Sequence, residues 1–76
     1  MKNLLKSIVK ALVDHPDQVE VTEVEGKQIV VLELSVAKED IGKVIGKQGR
    51  TAHAIRSIIG AASAKTKKRT MVKIIE

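Results

Sequence analysis

The chain contains no cysteine and no aromatic residue, and its only proline is Pro16. Without thiols there is no disulfide framework and no thiolate chemistry. His15 and His53 alone, with no cysteine beside them, fall short of a structural zinc site, so no metal ligand set and no cofactor is expected. With no Phe, Tyr or Trp, the core has to be built from Val, Ile, Leu, Ala and Met, and no ring is available to stack on a base. Long apolar runs are also missing. Lys6 and Lys10 interrupt the opening stretch "MKNLLKSIVKALVDHPD", which therefore does not read as a signal peptide. No stretch approaches the roughly 20 apolar residues of a membrane span. The expectation is a cytoplasmic protein.

The last absence concerns charge. From Ile41 to Ile75 there is no acidic residue, while nine basic ones occur: Lys43, Lys47, Arg50, Arg56, Lys65, Lys67, Lys68, Arg69 and Lys73. From Asp14 to Asp40 the balance is reversed, with eight acidic residues against Lys27 and Lys38. A solvated basic surface is common, but segregation this complete favours a half that faces a polyanion. It also disfavours catalysis. His53 has no carboxylate among its sequence neighbours, nothing marks Ser57, four residues on, as activated, and no catalytic residue is assigned.

What is present is enough for one small domain. The chain has 76 residues, 43% of them apolar and 30% charged, which fits a single globular domain over residues 1–76 with a thin core. Leu4, Leu5, Ile8, Val9 and Leu12 recur at helical spacing, and His15-Pro16 stops that helix, which is expected from Lys2 to Asp14. The period then changes to two. Val19 and Val21 alternate with polar neighbours, and Val30, Leu32, Leu34 and Val36 share one face. Glu25-Gly26-Lys27 between them signals a hairpin turn. "TMVKIIE" at the end reads as a third strand, preceded by the basic loop "KTKKR".

Two helical stripes lie between the second and third strands. Ile41, Val44 and Ile45 precede Gly46, and Ile55, Ile58, Ile59 and Ala62 follow Gly49. Gly60 is read as a close-packing position, and Glu39 and Asp40 as favourable charges near the first helix start. The order α-β-β-α-α-β predicts an α+β domain, a small three-stranded sheet with helices packed on one face.

The break "IGKVIGKQGR" places Gly46, Lys47, Gln48 and Gly49 directly before a helix start. Glycine permits φ > 0 and close approach of a ligand, the helix start offers free N–H groups, and Lys43, Lys47 and Arg50 supply cations around it. A sugar–phosphate backbone fits such a loop, and a plain turn between helices is the bland alternative. Other glycine motifs fail on spacing. A P-loop needs four residues between its first Gly and Gly-Lys, and the dinucleotide fingerprint needs glycine where Val44 stands.

With that element order and "VIGKQGRTAHAI" in place, the chain resembles a KH domain of the type II, prokaryotic topology. "DIGKVIGKQGRTAHAIRSII" and the small size are most similar to the stand-alone bacterial KH proteins of the KhpA family. The resemblance implies a non-catalytic single-stranded RNA-binding protein, an RNA chaperone or post-transcriptional regulator. It further implies a homodimer, or a heterodimer with a larger KhpB-type RNA-binding protein, and a link to cell-wall homeostasis and cell length. By position, Gly46-Lys47-Gln48-Gly49 corresponds to the loop that clamps the RNA backbone. Arg50, Lys43 and Arg56 are the cations around it, and Ile41, Val44 and Ile45 the groove floor, with no small-molecule substrate and no membrane partner. Ala37-Lys38 departs from a good helix start, lacking a capping side chain. Two alternatives stand beside this reading. One is a helix-hairpin-helix element gripping duplex DNA, and the other a protein-interaction domain for an acidic partner.

Overall fold

The computed structural model describes residues 1–75; Glu76, the end of the run read as the third strand, lies outside them. Three helices and three strands follow the expected order: α1 (Lys2–Leu12), β1 (Glu20–Glu25), β2 (Ile29–Ser35), α2 (Ile41–Ile45), α3 (Arg50–Ala62) and β3 (Arg69–Ile75). Short 3₁₀ turns at Pro16–Gln18, Lys38–Asp40 and Lys47–Gly49 join them. The fold is α+β and KH type II-like, with helices against one face of a three-stranded mixed sheet.

The sheet order is β1-β2-β3. β1 and β2 form the antiparallel hairpin, closed where the Gly26 N–H donates to the Ile29 carbonyl at 2.7 Å. β3 returns parallel to β2 through the α2–α3 crossover. In register, Val21, Leu34 and Ile74 share one row of the helix-side face, and Leu32 and Val72 share the next. Leu5 and Val9 of α1, Val44 of α2, and Ile55 and Ile59 of α3 close over that face to complete the core. Each fully buried aliphatic side chain among them stabilises the fold by about 1.5–3 kcal/mol. In a domain this small they carry the whole packing term.

Four local expectations change. Helix α1 ends at Leu12 rather than Asp14, since Val13 is already extended. The reason lies far away in sequence: the N–H groups of Asp14 and His15 turn outward to the Asp40 carboxylate, at 3.2 and 2.9 Å. Ile58 is not part of the buried stripe of α3, which consists of Ala52, Ile55 and Ile59. Gly60 is exposed, and a Cβ built there meets nothing within 4 Å, so no internal packing calls for glycine. The basic loop is one residue shorter than "KTKKR". Arg69 already opens β3, its N–H donating to the Gln28 carbonyl at 3.0 Å.

Candidate nucleic-acid interface

Helix α2 is only five residues long, and the way it ends determines the geometry of the glycine loop. Gly46 closes it by donating its N–H to the Gly42 carbonyl at 2.8 Å. The backbone then takes three unusual conformations: Gly46 at φ 76°, ψ 172°, Gln48 at φ 58°, ψ 25°, and Gly49 at φ 73°, ψ 12°. The first belongs to a region that is essentially glycine-only, and the other two are left-handed. Gln48 is the one non-glycine residue with positive φ among those described. Holding a side chain there costs about 1–3 kcal/mol, a strain typical of ligand-binding turns.

The two glycines have different reasons. A Cβ on Gly46 would fall 2.2 Å from Thr51 Oγ1 and 2.8 Å from the Thr51 nitrogen, so the start of α3 is packed directly against it. A Cβ on Gly49 would meet nothing, and only its φ favours glycine. Lys47 and Gln48, at the start of their 3₁₀ turn, carry N–H groups without an acceptor inside the segment. Both side chains are exposed, as is Arg50, whose Nη2 donates to Gln48 Oε1 at 3.3 Å. The result is a raised, positively charged corner at the N-terminus of the thirteen-residue α3, where the helix dipole also favours an anion.

The profile of the KhpA/KhpB KH domain matches residues 2–74. The chain belongs to this KH-domain family. Among curated relatives, the RNA-binding protein KhpA of Clostridium acetobutylicum is 61% identical over 75 residues, covering 99% of this chain and all of that one. KhpA of Caldanaerobacter subterraneus is 60% identical with the same coverage. The Borreliella burgdorferi protein of that name is 45% identical over 73 residues, 96% of this chain and 89% of its own.

Within this KH domain the sequence-derived candidates do not all stand together. Gly46, Lys47, Gln48, Gly49 and Arg50 form one continuous corner. Ile41 and Ile45 are half-buried on α2 and keep some surface, whereas Val44, expected in the groove floor, is fully buried in the core and has no surface to offer a ligand. Gly42 is exposed, and a Cβ built there meets nothing within 4 Å, so no internal packing calls for glycine at this position. The sheet edge on the α3 side is β3. There Arg56 reaches across from α3, its Nε donating to the Val72 carbonyl at 3.4 Å. His53 is exposed on the first turn of α3, beside Arg50.

Lys43 is engaged elsewhere. Its ammonium pairs with the Asp14 carboxylate and lies 3.7 Å from Asp40 Oδ1. The hydrogen bond to Asp14 raises its pKa against partial desolvation, with the charges of Asp14 and Asp40 adding to it. A phosphate reaches Lys43 only in competition with Asp14. Asp40 has the sequence position of a charge near a helix start, but it is fully buried and makes no capping bond to α2. Desolvation pushes its carboxyl up. The N–H groups of Asp14 and His15, then the charges of His15 and Lys43, outweigh that and hold it below the ordinary value. Thr51 and Asp40 are thus the two residues of the site that sequence reasoning missed. One contact spans a tight turn and the other joins residues 25 or 26 apart, and neither leaves a periodic trace.

Proposed function

We propose that this protein is a non-catalytic, single-stranded RNA-binding module of the cytoplasm that grips the RNA backbone with Gly46-Lys47-Gln48-Gly49. The observation that carries the reading is the strained, exposed backbone of that loop, set at the start of α3 between Lys47 and Arg50. Its N–H groups and cations suit phosphate oxygens, and KH domains clamp about four nucleotides in this manner. The relatives are named RNA-binding proteins, which supports RNA over other polyanions. Base contacts on Ile41, Ile45 and Gly42 are aliphatic and hydrogen-bonded, since the chain has no aromatic side chain. Lys43 and Arg56 are secondary cations.

A single shallow groove binds weakly, and pairing two clamps raises apparent affinity through effective concentration. The working form in this reading is therefore a homodimer, or a heterodimer with a KhpB-type partner. Its role is that of an RNA chaperone or post-transcriptional regulator, with the family's link to cell-wall homeostasis and cell length as the physiological setting.

Replacing both central loop residues, Lys47→Asp with Gln48→Asp, tests the clamp. The expected outcome is an unchanged circular dichroism spectrum and a loss of single-stranded RNA affinity of at least about 30-fold, as two phosphate-facing positions become repulsive. Unchanged affinity would reduce the loop to a turn. Competition between single-stranded RNA and duplex DNA separates this reading from a duplex-gripping element, and a duplex preference would reject it.

A further inference from the structure

The helices cover one face of the sheet and leave the other open. On the open face Val24, Val31 and Met71 stand side by side in register across the three strands. They floor a groove of about 510 Å³ that also takes in Glu33, Lys73 and Arg56. These three charged residues come from three places. Glu33 is the one charged residue of β2, the central strand, and it is half-buried. Lys73 is its register neighbour on β3. Arg56 arrives from α3 on the covered side and is fastened to the outer strand by its Nε, which donates to the Val72 carbonyl at 3.4 Å. Among the described residues none of the three forms an ion pair, although Glu33 and Lys73 are adjacent. A half-buried carboxylate on an otherwise apolar strand is costly without a partner. Across the groove the polar groups thus run in a fixed order: a carboxylate on β2, an ammonium on β3, and a guanidinium beyond it.

A flat base laid on that floor meets the three groups in turn. The rim of a guanine reads N2–H, N1–H, O6, N7, two donors followed by two acceptors. Its two donors match the two oxygens of Glu33, O6 accepts from Lys73, and the Nη groups of Arg56 donate to N7 and O6. No other standard base carries that order. Adenine turns its N1 acceptor to the carboxylate and its amino donor to the ammonium, cytosine sets its amino donor beside the N3 acceptor, and uracil has one donor between two acceptors. Neighbouring strands lie about 4.8 Å apart, so a carboxylate on β2 and a guanidinium beyond β3 flank a ring without crowding it. The Met71 thioether supplies the favourable contact with a ring face that the missing aromatic side chains cannot. We propose that this groove is a guanine-binding site, and that the guanine belongs to the RNA held by the clamp. Arg56, a secondary cation of the clamp, makes the connection. It stands seven residues beyond Gly49 on α3, about 10 Å along the helix. A strand leaving the clamp beside α3 therefore reaches β3 at Arg56 and turns a following base over that strand onto the open face.

This site rests on the RNA-binding reading and adds a base preference to it. Fluorescence anisotropy of the full chain with a short oligouridine, and with the same strand carrying one guanosine at each position in turn, is the test. Guanosine at one position outside the about four clamped nucleotides is expected to tighten binding at least about fivefold over uridine. Adenosine there gives no gain. Inosine, which lacks the N2 amino group, and 7-deazaguanosine, which lacks the N7 acceptor, each lose most of it. Glu33→Gln keeps the shape of a partly exposed side chain, so the fold and the affinity for plain oligouridine remain while the guanosine gain is lost. Arg56→Lys keeps the charge but not the fork, and is expected to make guanosine and 7-deazaguanosine equivalent. Guanosine equal to uridine at every position, or a gain that survives Glu33→Gln, overturns the site while leaving the clamp standing. Free 5′-GMP binding as tightly as the guanosine-bearing strand overturns RNA as the source of the base. No binding to any strand of the series overturns the site and the clamp together.

Discussion

Gly46 and Gly49 look equivalent in a Gly-x-x-Gly motif, and the structure separates them. Alanine at 46 meets a glycine-only backbone region and a Thr51 oxygen 2.2 Å away. Alanine at 49 meets only an unfavourable φ with free space around it. Gly46→Ala is therefore expected to cost about 3 kcal/mol or more, and Gly49→Ala about 1–2 kcal/mol. Urea denaturation of the two variants decides it, and equal losses would mean that Thr51 yields easily. Asp40 makes a second prediction at this scale. Its folded-state pKa is lowered, so the stability it contributes is present above the unfolded value of about 3.9 and is lost as pH falls below that toward the lowered value. Asp40→Asn keeps one acceptor but turns its amide toward the other N–H. It is expected to lower Tm by several degrees at neutral pH and to flatten the acid limb of the wild-type stability curve below about pH 4. A parallel acid limb would show that the carboxylate holds no differential charge interaction.

At the scale of elements, the helix and strand order was legible because each segment states its period clearly. Three-to-four spacing in α1 and α3, alternation in β1 and the Gly26 turn leave little freedom. The glycine loop was legible too, since two glycines with polar residues between them are costly inside a helix. What the sequence hid was the tertiary use of single residues. Asp40 stands beside a helix start, where a carboxylate is ordinarily a favourable end charge, yet it binds the turn after α1. Ile58 has the right spacing from Ile55 for the core stripe, but α3 rolls so that Ala52, Ile55 and Ile59 face the sheet. Gly60 has no internal packing role, and this makes its own prediction. With open space around its Cβ position, Gly60→Ala is expected to stabilise the protein by about 0.5–1 kcal/mol in urea denaturation. A loss of stability would instead show that α3 needs glycine for a contact outside the folded monomer.

For the whole molecule, the separation of charge along the chain becomes a separation in space. The strand order β1-β2-β3 puts the glutamate-rich strand at one edge and the strand with Arg69 and Lys73 at the other. Under the proposed function, the acidic edge would repel RNA and the basic side would draw it toward α3 and β3. Not every cation is free for that task. Lys43 is held by Asp14, and Lys68 by Glu25, whose carboxyl the Lys68 hydrogen bond lowers, with the Lys68 charge adding to it. The number of phosphates neutralised should thus be well below the nine basic residues between Ile41 and Ile75. Each phosphate contact on a single strand adds about −0.7 to the slope of log K against log salt, so one clamp holding about four nucleotides gives a slope no steeper than about −3. Two clamps of a dimer engaging one RNA give a slope up to twice as steep. A salt series on the wild type with a long single strand, and again with an RNA only long enough for one clamp, tests this directly. The long RNA is expected to show the steeper slope and the short one the shallow slope. Equal slopes on the two RNAs would mean that one clamp acts alone, however the chains associate.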